Sequence, residues 1–260
     1  MCKIPVPKEI EQGEISETAW STYQKARSGD RDAQYAMHVM FRFGKGVDQD
    51  QEQSAAWCLL AAEQGLPEAQ TDMGVIYNNG DGVEQSCSEA AGWFRKAAEN
   101  GDSYACDNLA SAYYYGDGVE KSVPEARRWW MQAAESGSVD SQLKLANSYY
   151  STESGDQNIP EAVKWYRLAA ESHCRDAFLA LGCIYRDGVV VEKDLAESVR
   201  WFTQLAKDGD AEAQYAVGEA YLNGQGVAKD RGAAVMWFRL AAEYDYDVAV
   251  ERLRELGVDP

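Results

Sequence analysis

The chain has 260 residues, of which 45% are hydrophobic, so it is long and apolar enough to bury a large core or to form an extended array. Its 25 basic and 43 acidic residues give a net charge of −18, which disfavours binding to nucleic acid and to anionic membrane surfaces and favours a basic partner. The same charge can also serve only to keep a long exposed surface in solution, and both interpretations stay open.

The N-terminal region lacks an apolar stretch of signal-peptide length, and no part of the sequence approaches the ~20 apolar residues of a membrane helix. We therefore expect a cytoplasmic protein that does not insert into membranes. Cys2 leaves an alternative open, because a cysteine there would also fit the processed start of a lipid-anchored periplasmic form. Residues 1–13 are expected to form a tail and residues 14–29 a capping helix, marked by Trp20, Tyr23 and Ala26.

Tryptophan recurs every 36 residues, which predicts six structural repeats over residues 30–245. Seven residues before each of these tryptophans stands Asp, Ser or Asn, the side chains that cap helix N-termini. Gln or Glu follows three residues later in five of the six repeats, which completes a capping-box pattern. A second helix of each repeat is therefore predicted to begin here and to bury the tryptophan: Trp57, Trp93, Trp129, Trp165, Trp201 and Trp237.

The ends of the predicted helices are marked by glycine. The second helix stops at Gly65, Gly101, Gly137 and Gly209, and His173 and Asp245 occupy the same position in the remaining repeats. The first helix ends in a Gly-x-Gly-Val turn, as in residues 80–83. We interpret these glycines as turn residues and not as a phosphate-binding loop, which would need a preceding strand and a longer glycine pattern. The turn is altered in the fourth repeat, where residues 152–155 read Thr-Glu-Ser-Gly, and in the fifth, at Val190.

These motifs resemble the Sel-1-like repeat, a relative of the tetratricopeptide repeat. Residues 213–241 carry the pattern almost in full, from Ala213 and Gly218 in the first helix to Trp237 and Ala241 in the second. The resemblance implies an all-α, right-handed superhelical solenoid of about six 36-residue helix pairs, with about thirteen helices in a single domain over residues 1–260. Residues 246–260 are predicted to form the C-terminal cap, with Arg252 and Arg254 on its polar outer face. The resemblance also implies a scaffold or adaptor.

The sequence offers little for catalysis. His38 stands at a packing-glycine position of the first helix and His173 at a helix-stop position, so both have structural explanations. The six cysteines include no Cys-x-x-Cys and no histidine at zinc-binding spacing, and we expect free thiols without a metal or a cofactor. The protein is therefore predicted not to be an enzyme.

Variable positions on the first helices are predicted to face a groove that holds a partner protein or peptide. Aromatic, amide and arginine side chains there are typical of interfaces. The alternative is that some of the tyrosines pack sideways between repeats. The candidate partner-binding residues are Tyr35, Arg42, Asn78, Asn79, Tyr114, Tyr115, Asn147, Tyr150, Arg186 and Tyr215.

Two functions stay open at this point. The first is an adaptor that binds a protein or peptide in its groove. The second is a bacterial immunity or inhibitor protein that neutralises a secreted toxin, for which the acidic charge would suit a basic toxin. In both cases we expect a monomer.

Overall fold

The computed structural model describes residues 16–152, 155–188 and 192–259, and every regular element in these ranges is an α-helix. The predicted N-terminal tail, Cys2 and the altered turn residues Glu153, Ser154 and Val190 lie outside the described residues. The fourteen helices in the described ranges are α1 (Glu17–Arg27), α2 (Arg31–Phe43), α3 (Gln51–Glu63), α4 (Pro67–Asn79), α5 (Cys87–Glu99), α6 (Ser103–Tyr115), α7 (Val123–Glu135), α8 (Val139–Tyr150), α9 (Ile159–Glu171), α10 (Arg175–Asp187), α11 (Leu195–Lys207), α12 (Ala211–Asn223), α13 (Arg231–Ala242) and α14 (Asp247–Glu255). Six repeats supply two helices each and each end of the array adds one, so the described residues hold one helix more than the expected thirteen.

The chain forms two compact units, Met1–Ser141 and Gln142–Pro260, and the boundary between them falls within α8. In the first unit, each helix from α1 to α6 packs against the next helix in the chain. In the second unit, the same holds from α9 to α13. Consecutive packing of helix pairs is the architecture of an all-α solenoid, as predicted. In the part of the chain that the structure describes, no helix is both long and apolar enough to cross a membrane.

The second helix of each repeat begins at a side-chain cap, as predicted. In the first repeat, Oδ1 of Asp50 accepts a hydrogen bond from the backbone N–H of Gln53 at 3.0 Å. The second hydrogen bond of the predicted capping box, from the N–H of the cap residue to the side chain three residues later, is replaced by a different one. The N–H of Asp50 donates to the backbone carbonyl of Phe41 in the preceding helix at 3.0 Å, and so needs no acceptor from residue 53. The same bond, between 2.8 and 3.0 Å, joins the two helices in the other five repeats.

The two glycines of the Gly-x-Gly-Val turn have different functions. Gly80 ends α4 in the left-handed conformation, with φ of 80°, which confirms its assignment as a turn residue. Gly82 also has a positive φ of 74°, and a Cβ atom there would overlap the backbone of Gln51 at the start of α3. The second glycine therefore allows the turn of one repeat to lie directly against the preceding repeat. Gly118 meets the start of α5 in the same way, and Gly226 meets the start of α11.

The helix-stop position keeps the left-handed conformation even without glycine. His173 has φ of 58° and Asp245 has φ of 57°, and these are the positive-φ residues other than glycine in the described ranges. Both stand where the other repeats carry glycine, so the repeat geometry imposes a conformation that costs an ordinary side chain about 1–2 kcal/mol.

Five of the six repeated tryptophans are buried and Trp201 is half-buried, whereas Trp20 of the N-terminal capping helix is exposed. Helix α1 buries Ala19, Tyr23 and Ala26, which recur at helical spacing, whereas Trp20 is 44% exposed. The ring of Tyr23 meets Trp57 edge-on at a centroid distance of 5.9 Å. Tyr23 therefore takes the core position at this end of the array, and Trp20 stacks on its outer side.

The C-terminal capping helix α14 buries Ala249 and Leu253 against the last repeat. Arg252 was expected on the polar outer face of this cap, but the structure turns it toward the repeat. Its Nε and one terminal nitrogen lie 2.7 and 3.3 Å from the two carboxylate oxygens of Glu219 on α12. Arg252 thus joins the cap to the last repeat.

Candidate protein-binding site

Tyr35 and Arg42, two of the candidate residues, turn toward the next repeat. The hydroxyl of Tyr35 donates to Oδ2 of Asp72 at 2.8 Å, and a terminal nitrogen of Arg42 lies 3.6 Å from Oδ1 of the same carboxylate. Burial, followed by the bond to Asp72, raises the pKa of the Tyr35 phenol well above its usual range. These two side chains connect α2 to α4. Their placement agrees with the alternative interpretation, in which candidate side chains pack sideways between repeats.

A buried polar cluster lies behind this contact. The ring of His38 is fully buried, with Nδ1 at 2.9 Å from the hydroxyl oxygen of Ser54 and Nε2 at 3.4 Å from Oδ2 of Asp72. Ser, His and Asp occur here in the order of a hydrolase triad, but both Ser54 and His38 are buried inside the repeat. Burial also raises the pKa of the neighbouring Cys58 thiol. The cluster is placed to hold repeats together.

His38 does occupy the packing-glycine position, as predicted, and its large ring is matched by a small residue opposite. In the second repeat a Cβ atom on Gly74 would overlap the ring of Phe94. In the first repeat Cys58 stands at the position of Phe94, and His38 stands at the position of Gly74. The first repeat thus carries the large side chain on its first helix and the small one on its second helix, and the second repeat carries them the other way round.

The exposed face of α6 is the clearest candidate surface of the first unit. Tyr104, Asn108, Ser111 and Tyr115 are spaced by four, three and four residues and so lie on one face of the helix. The two tyrosines at its ends are 57% and 68% exposed. Tyr114 instead turns sideways, with its ring 5.3 Å from that of Trp130. Tyr104 and Asn108 were missed in the sequence, although their helical spacing from Tyr115 could have identified them.

A cleft of about 200 Å³ opens beside this face, between α4, α5 and α6. Its wall includes the candidate residue Asn78 on α4, together with Asn108 and Ser111 on α6. Cys87 and the turn residue Asp117 also line it. Asn79, next to Asn78, is exposed, and its amide nitrogen lies 3.2 Å from Oδ2 of Asp81.

The second unit brings together another pair of candidate residues. Asn147 and Tyr150 are both exposed on α8, one helical turn apart. The hydroxyl of Tyr166, on α9, donates to Oδ1 of Asn147 at 2.6 Å, and its ring meets that of Tyr150 at 6.5 Å. Burial raises the pKa of the Tyr166 phenol above its usual range. Tyr166 belongs to the buried aromatic column, and the sequence alone did not indicate that its hydroxyl reaches the exposed face.

The last two candidates differ in exposure. Arg186 is exposed, and its Nε donates to Oδ1 of Asp187 at 2.8 Å. Tyr215 is half-buried between the rings of Phe238 and Tyr246, with centroid distances of 5.4 and 5.7 Å. Tyr215 therefore packs sideways against the C-terminal cap, and a role in partner binding remains a prediction for both residues.

The described cysteines, Cys58, Cys87, Cys106, Cys174 and Cys183, are free thiols. Burial raises the pKa of the Cys106 thiol to about 11. Within the described ranges, no group of three or more His, Cys, Asp or Glu side chains is arranged to hold a metal ion.

Comparison with known proteins agrees with the repeat architecture. A family model described as the Sel1 repeat matches residues 31–66, 67–102, 103–138, 139–173, 177–210 and 211–243. No curated protein matches the sequence.

Two solved structures are similar in both sequence and fold. A protective antigen present in uropathogenic Escherichia coli strains, displaying an SLR fold, is 32% identical with a TM-score of 0.74, over 90% of this chain and 50% of the antigen. The chain thus spans about half the length of that antigen. A Sel1 repeat protein from Oxalobacter formigenes is 30% identical with a TM-score of 0.65, over 80% of this chain and 84% of the other. An immunity protein from Pseudomonas aeruginosa is 14% identical with a TM-score of 0.38, over 89% and 83%, and is too distant to support an argument about function.

Proposed function

The chain belongs to the Sel1 repeat family, and from that premise we propose that it is an adaptor that binds a partner protein or peptide on the exposed faces of its first helices. Sel1 repeats bind other proteins, and proteins built from them are generally non-enzymatic scaffolds. We extend this to the present chain, which we propose is not an enzyme and works as a cytoplasmic monomer.

One observation carries the proposal. On α6, two exposed tyrosines, Tyr104 and Tyr115, flank the small polar side chains of Asn108 and Ser111, and a cleft opens beside them. Exposed tyrosine supplies a large, rigid contact area, and short polar side chains supply hydrogen bonds without long flexible stems. In the second unit, Asn147 and Tyr150 offer the same chemistry on a smaller scale.

The charge of the chain indicates the chemistry of the partner. A net charge of −18 attracts a basic protein over a distance of about 10 Å at ordinary ionic strength and raises its rate of association. We therefore propose a basic partner, whose association rate should fall as salt is added.

The same charge favours a second candidate function, an immunity protein that neutralises a basic secreted toxin. This alternative would also suit a periplasmic form anchored through Cys2, a residue outside the described ranges. A gene for a secreted enzyme next to the gene for this chain would favour it over a general adaptor.

The experiment is a retrieval of partners from the native host by the full chain, followed by mass spectrometry. A protein retrieved by the wild type should be lost with Tyr104→Ala/Tyr115→Ala and retained with Tyr244→Ala, a similarly exposed tyrosine after α13. Asn147→Ala/Tyr150→Ala tests the second unit separately. For the retrieved partner, we expect the α6 variant to weaken the Kd at least tenfold, because interface tyrosines commonly contribute about 2 kcal/mol or more.

Circular dichroism of each variant must match the wild type, since the substituted side chains are exposed. If the partner binds both double variants as tightly as the wild type, the exposed faces of the first helices are not the binding surface.

A further inference from the structure

We propose that the cleft between α4, α5 and α6 receives an arginine side chain of the partner. This inference rests on the proposed function and specifies the partner's chemistry at one point beside the α6 face.

The cleft lies where the preceding junction holds a longer side chain. Between the first and second repeats, the position equivalent to Asn78 is occupied by Arg42, whose guanidinium lies beside Asp72. Thirty-six residues later the same position holds Asn78, which is much shorter than arginine and lines the cleft. The shorter side chain at this position leaves room for the cavity of about 200 Å³.

The chain's own arginines show which group this kind of junction accepts. The guanidinium of Arg42 lies 3.6 Å from the carboxylate of Asp72, between the first helices of repeats one and two. At the other end of the array, Arg252 of the C-terminal cap forms a two-point contact with Glu219 on the first helix of the sixth repeat. Two junctions between successive first helices are thus closed by an arginine paired with a carboxylate.

The polar wall of the cleft includes hydrogen-bond acceptors. Nδ2 of Asn108 donates to the backbone carbonyl of Tyr104 at 2.8 Å, and the hydroxyl of Ser111 donates to that of Asp107 at 2.9 Å. Nδ2 of Asn78 lies 3.4 Å from the amide oxygen of the following asparagine. One N–H of each amide and the hydroxyl hydrogen of Ser111 are thus engaged, and the two amide oxygens and the Ser111 oxygen keep lone pairs that can accept from a ligand. A guanidinium carries five donors and no acceptor, so it is the complementary group.

The remaining wall suits a cation of this size. Asp117, at the turn after α6, adds a negatively charged side chain to the lining. The volume is below the roughly 300–1,000 Å³ of pockets for small-molecule ligands, so a single side chain is the better fit.

Cys87 lines the cleft and can report its occupancy in the full chain. The rate at which iodoacetamide alkylates Cys87 is measured by peptide mass mapping with and without Nα-acetyl-arginine N-methylamide. We expect the ligand to slow this alkylation at least threefold while the half-buried Cys174 of the second unit reacts unchanged. The corresponding citrulline derivative has nearly the same shape without the charge and should not protect. Equal protection by both compounds, or none by either, would overturn the proposal.

A matched pair of variants tests the contribution of the turn carboxylate. Asp117→Asn should remove the protection, whereas Asp81→Asn, at the same position of the preceding Gly-Asp-Gly-Val turn, should leave it intact. Protection that survives in Asp117→Asn contradicts the proposal.

A second variant fills the cleft from within. Asn78→Arg/Asn108→Asp recreates the Arg42–Asp72 pair without changing the net charge. Its Cys87 should react at least threefold more slowly than in the wild type without any ligand, and added arginine derivative should have no further effect. An unchanged rate of alkylation would show that this cavity does not accommodate a guanidinium.

The outcomes also separate this inference from the proposed function. If partner binding depends on Tyr104 and Tyr115 but arginine does not protect Cys87, the inference fails and the adaptor function stands. If arginine protects Cys87 but no partner uses the α6 face, the cleft assignment stands and the proposed function fails.

Discussion

Nε2 of His38 lies 3.4 Å from Oδ2 of Asp72, so a fully buried imidazole of the first repeat faces a carboxylate of the second. Asp72 also accepts the hydroxyl of Tyr35 and lies near Arg42, and it therefore gathers three side chains of α2 onto α4. This one carboxylate connects the two repeats through polar contacts.

Asp72→Asn should destabilise the protein by about 1–2 kcal/mol at neutral pH, because the partners of the carboxylate lose a charged acceptor. Burial disfavours the charged form of Asp72, but His38, the Tyr35 hydroxyl and Arg42 outweigh burial, and the pKa of this carboxyl falls below its usual range. A lowered pKa stabilises the fold above the unfolded-state pKa of about 3.9, and that contribution is lost as the pH falls below it. Urea unfolding from pH 7 to pH 2.5 should therefore show the difference between wild type and variant shrinking below about pH 4.

The matched control is Asp81→Asn on the half-buried turn that follows α4, whose effect should stay within about 0.5 kcal/mol of the wild type throughout. A difference between wild type and Asp72→Asn that is constant over this pH range would contradict the assigned role of the carboxylate.

The exchange of side-chain size between His38 and Cys58 predicts a coupled pair of substitutions. Cys58→Phe alone should be severely destabilising, since the new ring would overlap the buried imidazole. His38→Gly/Cys58→Phe recreates the Gly74–Phe94 contact of the second repeat and should recover stability. In a double-mutant cycle measured by urea unfolding, we expect a favourable coupling of at least about 1 kcal/mol. Additive effects would mean that the two positions do not share one packing site.

The two kinds of glycine should differ sharply in tolerance. Gly101 has φ of 88° with open space around it, so Gly101→Ala should cost only about 1–2 kcal/mol of backbone strain. Gly82→Ala adds an overlap with the backbone of Gln51 and should cost more than about 3 kcal/mol. Both positions lie in the first unit, so their unfolding free energies are directly comparable. Equal costs would show that the close approach at Gly82 is not needed.

Tryptophan burial gives a second contrast. Trp165 is 5% exposed between helices of the second unit, and Trp165→Ala should cost roughly 3–5 kcal/mol through the cavity that it leaves. Trp20→Ala should cost less than about 1 kcal/mol, because that ring is 44% exposed on the outside of α1. Chemical unfolding monitored by far-ultraviolet circular dichroism measures both. A loss below about 1 kcal/mol for Trp165→Ala would contradict the burial of the column.

The sequence by itself determined the repeat, its two helices, their caps and the glycines that end them, because these features depend on residues close together in the chain and recur every 36 positions. It did not determine which of the variable side chains on the first helices remain accessible to a partner. Tyr35 and Tyr215 occupy equivalent positions in two repeats, and the residue at this position varies between repeats. The structure places both side chains against a neighbouring element. Only the tertiary structure showed that a cleft opens beside Asn78, at the position that Arg42 occupies in the preceding repeat. The physical reason is that the space between two repeats is shared by side chains about 36 residues apart, and its filling depends on their combined sizes and charges.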